Sequence, residues 1–364
     1  MIDSVKFDCL WFKGHIPCAP NKQKSVICEN CIDYRPISKR ILIIKLGAIG
    51  DVIRTTPLIV KYRKMYPDCH ITWVTHSPDV VPAKSVNTIY KFDFASVYVV
   101  QNMKFDIAIN LDKEPEACSL LKDVDATEKY GFIWRNNHLD AATPNAEHKL
   151  ITGLYDNISK ANTKHYLDEI FEICHLKFDD EPYLLDVDTN YAQKWTSLKK
   201  QANGQPVVGL NTGCGKRWTT RLWPNEYWIE LVKKLQADGF YPVLLGGEAE
   251  DLNNRYLAQQ TGAYYPGYFS LQEFIALTSN CDAVVTQVSM MMHIVTALQI
   301  PLVLMNNIFN RHEFYLYNNG VIVEPTSGCD CYYGNTCKRE KSCMHDISVE
   351  SIKTAIADLI NTKK

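Results

Sequence analysis

No stretch of this sequence approaches the ~18 consecutive apolar residues that a membrane-spanning helix needs, although 46% of its residues are hydrophobic. The opening segment MIDSVKFDCLWFKGH has no basic patch followed by an apolar stretch, so no secretory signal is expected. An excess of one charge is also missing. Lys and Arg number 39 against 41 Asp and Glu, a formal net charge of -2, which gives no global attraction to nucleic acid or to an anionic membrane. The local cluster Lys61, Arg63 and Lys64 reads as a solvated helix face. Low-complexity tracts and short-period repeats are absent. These absences point to a cytoplasmic protein, peripheral at the inner membrane at most, with no nucleic-acid partner and no transmembrane segment.

Cysteine, by contrast, is plentiful: 13 residues. Cytosolic thiols are normally kept reduced, so clustered cysteines suggest metal before disulfide. One cluster is Cys9, Cys18, Cys28 and Cys31, ending in C-x2-C; the other is Cys329, Cys331, Cys337 and Cys343. Four thiolates suit a structural tetrahedral zinc, and iron is the alternative. The clusters each hold one ion, join at one site, or hold none. Cys69, Cys118, Cys174, Cys214 and Cys281 read as ordinary thiols.

The length, 364 residues, suits two domains. Residues 1–38 form a cysteine-rich, loop-rich module, 39–185 a first α/β domain, 186–345 a second one containing the 329–343 cluster, and 346–364 a terminal helix. RILIIKL (40–46) is a nearly continuous apolar run, as in a buried parallel strand, and HITWVTH (70–76) and FDIAINL (105–111) follow. Val52 to Tyr66 has helical spacing, with Pro57 tolerable only near a first turn. The strand–helix alternation restarts with QPVVGLNTG (205–213), YPVLLGG (241–247), CDAVVTQ (281–287) and PLVLMN (301–306). Such alternation predicts parallel sheets covered on both faces.

Three loops carry candidate chemistry. In LGAIGD (46–51) only G-x-x-G is present, so the dinucleotide fingerprint G-x-G-x-x-G fails. Asp51 follows a parallel strand, where a carboxylate can act as general base; the competing reading is a helix cap. NTGCGKRWTTRLWP (211–224) places Gly213, Lys216, Arg217 and Arg221 ahead of a helix, which suits a diphosphate or a solvated basic turn; the Walker spacing is not met. In VSMMMHIVTAL (288–298), backbone N–H groups of Ser289, Met290 and Met291 can cap a phosphate, with His293 one turn on. The plainer alternative is core packing by the methionines and a hydrogen-bonded core histidine.

Taken in order, ILIIKLGAIGDVIRTTPL (41–58), KRWTTRLWPNEYW (216–228), LLGGEAED (244–251) and MMHIVTALQIPLVLM (291–305) resemble glycosyltransferase family 9, the ADP-heptose–lipopolysaccharide heptosyltransferases. The resemblance implies a GT-B fold, two Rossmann-like domains with parallel sheets facing across a cleft. It implies inverting transfer from a nucleotide-sugar without a catalytic metal. Asp51 would be the base, Arg221 a donor-phosphate contact, Ser289, Met290 and Met291 the diphosphate-holding segment, and Glu250 or Asp251 the acid on the ribose hydroxyls. Two departures stand out. Val288 occupies the place of an aspartate that helps hold the donor sugar, and MNNIFNRHEF (305–314) replaces a Gly-Pro-Thr-like loop, leaving Asn306, Asn307, Asn310 and Glu313 as substitute sugar contacts. The cysteine spacings do not match the iron sites of the related autotransporter heptosyltransferases.

The leading expectation is transfer of a heptose from ADP-heptose to a glycan, lipid-linked or protein acceptor. Asp51 takes the acceptor proton while Lys216, Arg221 and the helix start at 289 stabilise the departing nucleotide. The alternatives are protein O-heptosylation, a GT-B sugar-nucleotide epimerase, a dinucleotide-dependent oxidoreductase and a non-catalytic sugar- or metal-binding scaffold.

Overall fold

The computed structural model describes residues 2–215, 217–334 and 336–362. The chain divides into two compact units. The first comprises Met1–Gly47, Thr55–Leu150 and Ile170–Pro182; the second comprises Ala48–Arg54, Ile151–Glu169 and Tyr183–Lys364. This differs from contiguous domains at 39–185 and 186–345. The short helix bearing Asp51 packs with the second unit, although it directly follows the first strand of the first.

The first unit is built on β1 (Arg40–Ile44), β2 (His70–Thr75), β3 (Thr88–Lys91), β4 (Lys104–Asn110), β5 (Asp125–Arg135) and β6 (His138–Ala141), in the order β3-β2-β1-β4-β5-β6. Strands β1 to β5 pair in parallel. In β1, Ile41 to Ile44 are fully buried, as a strand covered on both faces must be. Leu42, Ile44, Val74 and Ala108 pack with Leu120 and Leu121 of helix Pro115–Asp123. The expectation of a purely parallel sheet is corrected at one edge: β6 runs antiparallel to β5. The turn between them uses Asn136 and Asn137 at φ 48° and 65°, the left-handed pair that a tight hairpin requires. The single helix expected over Val52 to Tyr66 is also corrected. It is two, Ile49–Ile53 and Pro57–Met65, because Pro57 lacks an N–H and opens a new first turn. At the end of β1, buried Asp112 accepts from Lys45 Nζ and Leu46 N. Lys45 Nζ also donates to Gly47 O at 2.6 Å, which fixes the outgoing loop.

The second unit is built on β7 (Val207–Asn211), β8 (Tyr241–Leu245), β9 (Ala283–Gln287), β10 (Leu302–Met305) and β11 (Gly320–Val323), all parallel, in the order β11-β10-β9-β7-β8. Helix Asn225–Ala237 buries Trp228, Leu231, Val232 and Leu235, an i, i+3, i+4, i+7 stripe, and helix Val349–Asn361 buries Ile352, Ile356 and Ile360. Trp228 meets Trp223 edge-on at 4.9 Å. Truncating a fully buried tryptophan such as Trp228 costs about 3–5 kcal/mol. The direction of strand succession reverses between β7 and β9. Open α/β sheets bind ligands at such a switch, outside the carboxyl ends of the strands. Among the described residues no helix is long and apolar enough to cross a membrane.

Candidate functional site

A cavity of about 410 Å³ opens at this switch point, within the range of small-molecule sites. It is lined by the exits of β7 (Gly213, Cys214), β8 (Gly246, Glu250) and β9 (Ser289, Met290, Met291), together with Ile49. Two of its walls are glycines packed closely against Glu250. A Cβ on Gly213 would collide with the Glu250 carboxylate, and one on Gly246 would lie 2.7 Å from Glu250 Cβ and 2.8 Å from Asn254 Nδ2. Glu250 Oε2 accepts from Gly247 N at 2.9 Å, so the acid is held at the cavity edge. Asp251, the other candidate acid, pairs with Arg255 at 2.9 Å and accepts from Tyr265 OH at 2.8 Å.

Ser289 caps helix Met290–Ala297. Its Oγ accepts from Met291 N at 3.3 Å and lies 3.2 Å from Thr286 Oγ1. The expected set of free backbone donors is therefore reduced by one, because the serine occupies the Met291 N–H. Met291 and Met292 are buried, in keeping with the packing alternative, while Met290 lines the cavity.

Arg221, expected as a donor-phosphate contact, lies inside the protein. It is 6% exposed, and Nε donates to Trp218 O at 3.2 Å, Nη1 to Val288 O and Nη2 to Cys214 O. Burial lowers its pKa from the usual guanidinium value, and the Cys214 thiol opposes that shift. The side chain ties the 213–221 loop to the β9 exit, so it shapes the cavity walls from behind. Lys216, the other cation of the loop, lies outside the described residues.

His293 does not line the cavity with its helix neighbours. It is buried, its ring stacks on Tyr183 at 6.3 Å, and its Nδ1 has no hydrogen-bond partner. Burial, reinforced by Arg54, pushes its pKa down to about 3, so the imidazole is neutral. Its neighbour is Gly50 of helix Ile49–Ile53, where a Cβ would lie 2.6 Å from the His293 ring. The G-x-x-G signal thus marks a helix-to-helix contact. The two helices cross closely enough that Ile49 reaches the cavity wall.

Asp51 stands in the first turn of that helix. Oδ2 accepts from Ala48 N at 3.3 Å, and Oδ1 faces Arg54 Nε at 2.9 Å. The side chain remains 34% exposed, so one carboxylate can serve both as cap and as reagent. The Arg54 guanidinium lies 3.5 Å above the Tyr166 ring. Burial opposes its charge, but Asp51, Tyr166 and Glu313 outweigh that cost and raise its pKa. Composition offered no signal for Arg54; its spacing of three from Asp51 on one helical face was the available clue.

The side chains expected as substitute sugar contacts have partners within the protein. Asn306 donates to Phe309 O and Glu324, Asn307 to Thr220 O, and Asn310 to Ser159 O and Asn162 O, all at 2.7–2.9 Å. These asparagines hold loops together, a role that depends on tertiary partners and leaves no local pattern. Glu313 accepts from Tyr333 OH at 2.7 Å.

All cysteines are free thiols. In the second cluster Cys331 N approaches Cys329 Sγ at 3.4 Å. Burial pushes the Cys329 thiol up to about 12, with Cys343 beside it adding to the shift. Among the described residues no three Cys, His, Asp or Glu side chains stand close enough to hold one metal ion.

Comparison with known proteins agrees with this architecture. Residues 98–321 match the profile of glycosyltransferase family 9 (heptosyltransferase). Lipooligosaccharide heptosyltransferase 2 of Haemophilus influenzae is 22% identical over 289 residues, 72% of this chain and 82% of that protein. A family 9 glycosyl transferase from Veillonella parvula superposes with a TM-score of 0.69 at 19% identity, covering 90% of this chain and 98% of the other. The ADP-heptose lipopolysaccharide heptosyltransferase II of Escherichia coli does so with a TM-score of 0.65 at 16% identity, covering 89% and 99%. The chain therefore has the GT-B fold and belongs to glycosyltransferase family 9, the heptosyltransferases.

Proposed function

We propose that the protein transfers heptose from ADP-heptose, with inversion, to a hydroxyl of a lipopolysaccharide-core or other surface-glycan acceptor. The observation that carries this reading is the seating of the Asp51 helix on His293, within the same compact unit as the cavity at the β7–β9 switch. That seating sets a carboxylate beside a site suited to a nucleotide. Glu250 meets the ribose hydroxyls, and the polar start of helix Met290–Ala297 meets the diphosphate. Asp51 removes the acceptor proton as the hydroxyl oxygen attacks the anomeric carbon. The bond from that carbon to the diphosphate oxygen breaks, and ADP departs with the electron pair. Lys216 and the helix start offset the developing charge. Arg221 acts by fixing the loop that carries these groups. The chemistry requires no catalytic metal. We place the reaction in the cytoplasm, at the inner membrane surface when the acceptor is lipid-linked.

Calorimetry with ADP, UDP, GDP and CDP, followed by turnover of ADP-heptose with core acceptors, tests the reading. Selective ADP binding and heptose transfer are expected. Selective binding of UDP or GDP would move the donor away from heptose. An Asp51→Asn variant should bind ADP normally and lose at least ~100-fold in kcat; full turnover would sink the base assignment.

A further inference from the structure

We propose that Arg54, laid against the ring of Tyr166, is a positioning residue that aims the Asp51 carboxylate. The inference rests on the reading of Asp51 as the base. Asp51 by itself is poorly held. Its helix, Ile49–Ile53, has five residues, too few to be stiff without outside contacts. The carboxylate is 34% exposed, and its contact to Ala48 N is long, 3.3 Å. An exposed side chain of this kind exchanges between staggered rotamers unless it is tied. A general base, in contrast, has to be held within about 0.5 Å of its productive place.

Arg54 supplies the constraint from the other end of the same helix. It is the C-terminal cap residue, with its N–H shared between Gly50 O and Val52 O, so its backbone is fixed to the helix. The side chain turns back by three positions, where Nε stands 2.9 Å from Asp51 Oδ1. Nε has no aligned hydrogen bond, so the contact is one of charge, and another group must fix the plane of the guanidinium. That group is Tyr166, 6% exposed at the start of helix Tyr166–Ile173, with its ring centre 3.5 Å from the guanidinium carbon. At that distance the two flat groups stack, and the ring face attracts the cation. Only 17% of the Arg54 side chain is exposed, so it is not free to swing out to water. The clamp also survives use of the base. Once Asp51 holds the acceptor proton, the guanidinium loses its counterion. It still lies over Tyr166 and within electrostatic reach of Glu313, which accepts from Tyr333 OH at 2.7 Å. All five residues belong to the second compact unit.

The test uses the full chain with ADP-heptose and a core acceptor, and urea unfolding to establish that each variant folds. Arg54→Met keeps the reach over Tyr166 without the charge. It should lower kcat about 10- to 100-fold while the donor KM changes less than about three-fold. Arg54→Lys, which restores the charge without the flat face, should recover part of that loss. Tyr166→Leu leaves Arg54 in place without its platform and should lower kcat by a smaller factor. The decisive comparison is made in the Asp51→Asn background. Adding Arg54→Met there should change the residual turnover less than about two-fold, since a residue that acts through Asp51 has nothing left to aim. A purely structural role would multiply the two losses. Wild-type kcat in Arg54→Met, or losses that multiply in the double variant, would overturn the proposal and leave Asp51 as the base. If Arg54→Met does not fold, wild-type kcat in both Arg54→Lys and Tyr166→Leu overturns it, and a loss in both sustains it. Full turnover in Asp51→Asn, or no transfer by the unsubstituted chain, would remove the underlying reading and the proposal with it.

Discussion

Replacing Gly50 with alanine puts one methyl group into the contact that seats the catalytic helix. The new Cβ would lie 2.6 Å from His293 Cδ2, 3.4 Å from Nε2 and 3.5 Å from Cγ. Ordinary contact begins near 3.4 Å, so one partner must retreat by about 0.8 Å. His293 is buried and stacked on Tyr183, so the short helix Ile49–Ile53 is the part that yields. Alanine's helix preference returns about 1 kcal/mol, and overpacking costs about 1–3 kcal/mol. Net stability should therefore fall by no more than about 2 kcal/mol. Activity is more sensitive. Asp51 is the next residue and travels with the backbone, and a displacement near 1 Å costs on the order of 100-fold in rate. Gly213 and Glu250 do not lie on the moving helix, so ADP affinity should change only a few-fold. Steady-state kinetics, ADP calorimetry and urea unfolding of Gly50→Ala measure the three effects. Adding His293→Ala removes the obstructing ring and should restore part of kcat. Wild-type kcat in Gly50→Ala, or no restoration in the double variant, would refute the reasoning.

Other outcomes follow from the same geometry. Arg221→Ala leaves three backbone carbonyls without their donor, at about 1–3 kcal/mol for each one that stays dry, so it should lower both stability and ADP affinity. Arg221→Lys, with one donor head in place of a fork, should rescue little; a lysine variant with normal ADP binding would assign the residue to charge alone. Gly213→Ala drives a methyl into Glu250 and should weaken ADP binding at least ten-fold in calorimetry with Asp51 chemistry otherwise intact. His293 is held near a pKa of about 3 against about 6.5 when unfolded, so the unfolded chain binds the extra proton. Its contribution is complete above pH 6.5 and declines as pH falls from 6.5 toward 3, about 2 kcal/mol by pH 5. Urea melts at pH 7.5 and pH 5 should show that loss in the wild type and a shallower one in His293→Gln.

Much of the second unit was legible because its strands are short, nearly continuous apolar runs, two of them leading into glycine: VVGLN, YPVLL and AVVTQ match β7, β8 and β9. The edge hairpin β5–β6 was not, since DATEKY alternates weakly and lies partly exposed. Its one local signal is the Asn136-Asn137 pair. Within the site, Gly50, Gly213 and Ser289 were visible as loop residues at strand ends. The commitments of Arg221 to Val288 and of Asn310 to Ser159 were not, because those partners are 67 and 151 positions away along the chain. A basic residue in a glycine loop has the same local appearance whether it faces a ligand or its own carbonyls.

Glu250 closes against two glycines at once, Gly213 from the β7 exit and Gly246 from the β8 exit. The three positions are therefore a single unit of inheritance. While the glutamate remains, a larger residue at Gly246 meets its Cβ, and one at Gly213 has to push the carboxylate aside. Among descendants of this gene, change at any of the three should arrive with change at another, and chains that have exchanged all three are the place to look for a different nucleotide preference.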